Sequence, residues 1–203
     1  IQKAIQSFGF AMVVDLHGQS HRPATELGYL LTTEDLQATD EVLDQFGPEL
    51  YTKCSIGSLA HPKGHTAGPM TRKSCMTLSQ VVRGQQSLGG LMETAGFKCI
   101  PSPNLLRPLQ DETYFWGAFT CARYSRGLHW KAEKSEPEDL EVGASFDAGS
   151  RRVVAVQVEV ETAVRSDPVQ RTKFAAALAF AVQEFLTLHF GLETLAQRGG
   201  VTS

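Results

Sequence analysis

The residues best equipped for chemistry lie in two short stretches, DLHGQSH at residues 15–21 and VQVEVE at residues 156–161. In the first, a run from Phe10 to Leu16, apolar but for Asp15, ends in His17, Gly18, Gln19, Ser20 and His21. The run has the length and β-branched content of a strand buried on both faces. Ligands of open α/β sheets bind outside the carboxyl ends of the strands. An imidazole at such a place serves as a metal ligand or a proton carrier, and we read His17 as a ligand of a catalytic zinc. Asp15, two residues earlier, faces the same side of the strand. A local metal set of His17, His21 and Glu26 is an alternative, against which Pro23 argues by breaking any helix that would align them.

The second stretch belongs to a strand expected over Arg151 to Glu161. Val154, Val156, Val158 and Val160 take one face; Val153, Ala155, Gln157, Glu159 and Glu161 take the other. This second face changes from apolar to carboxylate toward the strand's end. A carboxylate half-buried there is either raised in pKa by desolvation or held ionised by a cation. Either state suits a general base, and Glu159 is the candidate; a solvated edge-strand face is the competing explanation.

The elements that must position these residues read as an α/β pattern. Ile1, Ala4 and Ile5 have the spacing of a closing helix before the first strand, the second half of a β-α-β step. The chain is therefore expected to lack N-terminal strands and helices that precede residue 1. Thr32 or Thr33 caps a helix with Glu34 and Asp35 in its first turn, running through Phe46 to a stop at Gly47-Pro48. A long Gly-, Pro- and Ser-rich loop is expected from Lys53 to Ser74. It contains His61 and His65, whose spacing suits metal only on a helix, which Pro62 and Gly64 oppose. Short helices ending at Gly84 and Gly96 follow, then a strand at FKCIPSP and a second, aromatic strand over Tyr114 to Tyr124. Lys131 to Gly149 reads as a polar surface connection. Asp167-Pro168 opens a long helix with Phe174, Leu178, Ala181, Val182, Phe185 and Leu188 as its core stripe, and Arg198 to Ser203 is its frayed tail.

Composition narrows the function class. The chain has 203 residues, 42% apolar, with a net charge of -3 and no long basic run, which fits one soluble globular domain and argues against a nucleic-acid surface. No stretch approaches the roughly 20 apolar residues of a membrane helix. Cys54, Cys75, Cys99 and Cys121 form no CxxC pair, so a cysteine-based zinc site is not expected. Without a signal peptide, reduced thiols and a cytoplasmic location are the expectation.

Taken together, VVDLHGQSH with ELGYLL, VVRGQQSLGGLMETAGF, PSP, YFWGAFT and VQVEVETAVRSD resemble the N-formylglutamate amidohydrolase family, a branch of the zinc-carboxypeptidase-like hydrolases. The resemblance implies an α/β fold, a mostly parallel or mixed central sheet flanked by helices with zinc-carboxypeptidase-like (phosphorylase/hydrolase-like) architecture. It implies Zn2+ held by an upstream His and acidic residue, unmatched in these residues, together with His17. It also implies Glu159 as the base acting on zinc-bound water, with Gln157, Tyr114, Gly117 and Thr120 at the substrate. Gly117-Ala118 departs from the two glycines expected there, and a Cβ at Ala118 is expected to narrow the pocket.

Such an enzyme would cleave a small N-acyl (N-formyl) acidic amino acid or trim a terminal acidic residue from a peptide. Bidentate Arg recognition suits the substrate's carboxylates; Arg83 is the first candidate and Arg165 the second. The competing reading keeps the fold but binds a carboxylate ligand or a protein partner without turnover.

Overall fold

The computed structural model describes residues 1–8, 10–45, 48–60, 76–126 and 153–190. In chain order the elements are α1 (Gln2–Phe8), β1 (Ala11–Gly18), β2 (Thr25–Gly28), α2 (Thr33–Gln37), α3 (Asp40–Gln45) and α4 (Pro48–Lys53). A 3-10 turn (Gly57–Leu59), α5 (Leu78–Arg83), α6 (Leu88–Thr94) and β3 (Cys99–Ile100) follow. The rest are α7 (Ala118–Arg126), β4 (Val153–Val160), α8 (Thr162–Ser166) and α9 (Pro168–Phe190).

The strands form a four-stranded mixed sheet of order β1-β4-β2-β3, flanked by helices. β1 runs parallel to β4; β2 runs antiparallel to β4 and parallel to β3. The carboxyl ends of β1 and β4 therefore share one end of the sheet with the starts of β2 and β3. The link from β1 to β2, residues 19–24, crosses the end of β4 to reach its far side.

The alternation read from the sequence divides the sheet's two faces. Val154, Val156, Val158 and Val160 join Leu27, Tyr29 and Ile100 in the main core. Against them lie Val81 and Val82 of α5, Leu88 and Met92 of α6, and Phe174 and Phe185 of α9. Each such side chain, fully buried, contributes about 1.5–3 kcal/mol. On the opposite face Val13, Leu30 and Ala155 meet Cys121 and Ala122 of α7 in a second, smaller cluster.

Several local expectations hold for stated reasons. Thr32 and Asp35 form a reciprocal capping box at the start of α2. Asp167 Oδ1 accepts the N–H groups of Val169 and Gln170 at the start of α9. Gly96, just past α6, takes φ +88°, the left-handed conformation that favours glycine.

Three expectations are corrected. β1 is not buried on both faces: β4 is its one partner among the described residues, and Leu16 is 59% exposed. The helix expected from Thr33 to Phe46 is two helices. Ala38 leaves the helical conformation at ψ 144°, and Arg83 takes up the carbonyls of Leu36 and Ala38. The aromatic segment expected as a strand from Tyr114 to Tyr124 is not one: it is irregular as far as Gly117 and then becomes α7. Gly117 at φ +94° makes that change of direction. The residues that follow bury Cys121, Ala122 and Ser125 on one side, a helical spacing. His61 and His65, the connection from Lys131 to Gly149 and the tail from Arg198 lie outside the described residues. Among the described residues no helix is long and apolar enough to cross a membrane.

Candidate functional site

On the face covered by α7, side chains change character in rows across the sheet. Val13, Ala155 and Leu30 make the apolar row under the helix. The next row is Asp15, Gln157 and Gly28, and the last is His17, Glu159 and Glu26, each set being register partners on β1, β4 and β2. Neighbouring strands lie about 4.8 Å apart, so the imidazole and the two carboxylates line up at the end of the sheet. The two stretches singled out in the sequence, more than a hundred residues apart, are thus brought together by parallel pairing.

Each member of the last row has a defined environment. Glu159 is 4% exposed, and its Oε1 accepts a 2.6 Å hydrogen bond from Gln157 Nε2. That bond fixes one carboxylate oxygen, since Gln157 and Glu159 share a face two residues apart. His17 is half exposed, with Nε2 3.0 Å from Asp15 Oδ1. If that nitrogen donates to the carboxylate, Nδ1 is left as the acceptor. A buried carboxylate beside a half-exposed imidazole is an arrangement able to move a proton to and from a bound molecule.

Glu26 is fully buried but not isolated. Its Oε1 lies 2.9 Å from His21 Nε2 and 2.7 Å from Arg22 Nε, and its Oε2 accepts the Phe115 N–H at 3.0 Å. Arg22 continues outward to the Thr113 carbonyl at 2.6 Å and Glu112 at 3.2 Å. Glu26 thereby ties the β1–β2 link and the segment before α7 to the sheet.

The organiser of that link is Gln19, which sequence reasoning passed over. Its side-chain amide donates to the Arg22 and Ala24 carbonyls, while its Oε1 accepts the N–H groups of His21 and Arg22. Its backbone N–H donates to Val160 and its carbonyl accepts from Thr162 and Arg165. One buried amide so satisfies a six-residue crossing whose polar backbone would otherwise be costly. A polar residue directly after a strand is the only sequence signal for it, and no periodicity marks it out.

The segment before α7 forms a wall beside the row. Leu30 N–H donates to the Trp116 carbonyl at 2.6 Å, and Tyr114 hydroxyl donates to the Leu27 carbonyl at 2.6 Å. A Cβ on Gly28 would come within 2.4 Å of the Gly117 nitrogen, and one on Gly117 within 2.7 Å of the Gly28 oxygen. Glycine is therefore required at 28 and 117 by backbone-to-backbone approach. Ala118, where a second glycine was expected, is exposed at the start of α7 and meets no such constraint. Thr120 is half-buried in the first turn of α7. Burial pushes the Cys121 thiol up to about 12, which keeps it out of nucleophilic chemistry at neutral pH.

Both arginines nominated for substrate carboxylates are engaged elsewhere. Arg83, 3% exposed, donates from Nε to Asp40 at 2.8 Å, from Nη1 to the Leu36 carbonyl and from Nη2 to the Ala38 carbonyl. It binds the junction of α2 and α3. Arg165 donates to the carbonyls of Val160 and Gln19 and lies against Gly18; it fastens the ends of β1 and β4 together. The hydroxyl of Tyr114 is likewise used by the β2 backbone.

A catalytic zinc takes three protein ligands and leaves one position open. Among the described residues no group of three or more His, Cys, Asp or Glu side chains is placed to hold a metal ion. His17 pairs with Asp15 and His21 with Glu26, so the local set of His17, His21 and Glu26 does not gather either. The described residues do not by themselves fit a zinc centre. No protein-family model, curated protein or solved structure matches this chain.

Proposed function

We propose that the chain is a hydrolase of the N-formylglutamate amidohydrolase kind, with zinc-carboxypeptidase-like architecture, cleaving the C–N bond of a small N-acyl acidic amino acid or the terminal acidic residue of a peptide. The observation that supports the reading most is the direct pairing of His17 with Glu159 at the carboxyl ends of two parallel strands. Ligands of α/β sheets bind at such ends.

In this reading Glu159 is the proton carrier. It takes a proton from water as the oxygen adds to the acyl carbon, then delivers it to the nitrogen as the C–N bond breaks. The products are a carboxylate and a free amine. Gln157 holds Oε1 of Glu159, leaving the second oxygen for water. Zinc remains the proposed cofactor with His17 as one ligand, Asp15 orienting the ring as carboxylates do for ligating histidines.

The test is the full-length protein expressed in zinc-replete medium, with bound metal measured and formate release from N-formyl-L-glutamate followed. Stoichiometric zinc and hydrolysis lost on chelation are expected. Zinc-replete protein that turns over neither N-acyl acidic amino acids nor peptides ending in Asp or Glu overturns the proposal in favour of the non-catalytic binder.

A further inference from the structure

Outside β2 and β3, at the same end of the sheet, lies a cleft of about 580 Å³ that the hydrolytic reading does not use. Its size falls within the range of small-molecule sites. The walls are residues 22–24 before β2, Phe97 to Ile100 around β3, and the turn-rich stretch 104–112. Arg22, which lines it, pairs with Glu26 of the row that also holds His17 and Glu159.

The cleft's charges are unevenly satisfied. Glu93 accepts from the Ser102 hydroxyl at 2.6 Å and the Asn104 amide at 2.9 Å, and Glu112 accepts from the Leu109 N–H and from Arg22. Both acidic residues are thus taken up by local donors. The basic side is different. Arg107 gives one N–H to the Gln37 carbonyl at 3.0 Å and has no ion pair among the described residues. The Lys98 side chain, exposed, has neither an ion pair nor a hydrogen bond among the described residues; only its carbonyl is used, by the Thr25 N–H. Two cations are left facing an open cleft with no acid assigned to them.

The remaining surface is apolar. Phe97 and Ile100 line the inner part, and Leu105 and Leu109 stand at the rim, Leu109 being 71% exposed. A leucine so exposed next to an apolar lining is covered favourably by a ligand's hydrocarbon part, at roughly 25 cal/mol per Å². Cations at one side and apolar surface at the other define the complementary molecule.

We propose that this cleft binds a small organic carboxylate with an aliphatic body, its carboxylate on Lys98 and Arg107 and its hydrocarbon on Phe97, Ile100 and Leu109. The inference stands on the cleft alone and not on the role given to Glu159.

Octanoate is the probe, titrated calorimetrically into the full chain beside acetate and 1-octanol. One-to-one binding of octanoate is expected, with acetate and octanol each at least tenfold weaker. The double variant Lys98→Gln, Arg107→Gln, altering two exposed side chains, should keep the melting temperature and weaken octanoate at least tenfold. Glu159→Gln should bind octanoate as the native chain does, even where hydrolysis is lost. Octanoate binding that is absent, or unchanged in the double variant, overturns the site. Acetate or octanol binding as tightly as octanoate also overturns it, by removing one half of the recognition.

Discussion

The two faces of the sheet are made from alternate residues of the same strands and do opposite work. On β4 the even-numbered positions are four valines, all buried in the main core with α9. The odd-numbered positions run Ala155, Gln157, Glu159, from the contact with α7 out to the open end. One face is uniform and close-packed along its length; the other is apolar only as far as the helix covers it. The difference teaches that the helix's footprint decides where polar chemistry begins, because a carboxylate is tolerated only where partners or water reach it.

That contrast is broken most strongly from the apolar side. Phe185→Ala, at a side chain 1% exposed, should lower stability by about 3–5 kcal/mol, read from chemical denaturation, while the folded fraction keeps the formate release proposed for the native chain. Equal loss of specific activity per folded molecule would mean that the faces are not independent.

From the polar side, Glu26→Gln removes the charge that His21 and Arg22 share. A cost of about 2–3 kcal/mol is expected, since the buried Arg22 side chain loses its buried carboxylate partner and keeps only the exposed Glu112. A stability change under about 0.5 kcal/mol would show that the Glu26 network is not what fixes the β1–β2 link.

Smaller still is the effect at the wall. Gly117→Ala, at φ +94° and facing the Gly28 carbonyl, should cost about 1–3 kcal/mol. Ala118→Gly, at an exposed helical position, should cost less than about 1 kcal/mol. The reverse order in thermal melts would return the close approach to position 118.

How much of this was legible in the sequence follows from which residues carried periodic signals. The alternation of β4 fixes both its faces and, through them, the side on which Glu159 stands. Asp167-Pro168 and Thr32 announce their helices because capping chemistry is local. The partner of each strand is not local, so β1 reads as fully buried although it has one neighbour among the described residues. Phe115, Trp116 and Phe119 suggest a strand by composition, and the helical spacing of Cys121, Ala122 and Ser125 overrides them. Arg83 looks like a ligand-binding cation because its type is visible and its partners, two carbonyls of a distant helix end, are not. Gln19 escapes notice for the same reason: its side chain bonds only to backbone groups that the folded link supplies.

The central claim is that the carboxylate paired with His17 across the strands performs the chemistry. Glu159→Gln keeps the side chain's size and its bond to Gln157, so stability should change by less than about 1 kcal/mol. Its kcat/KM for N-formyl-L-glutamate should fall by about 10²–10⁴-fold, the range for removing a general acid–base group. A folded Glu159→Gln protein that releases formate at the native rate would contradict the claim.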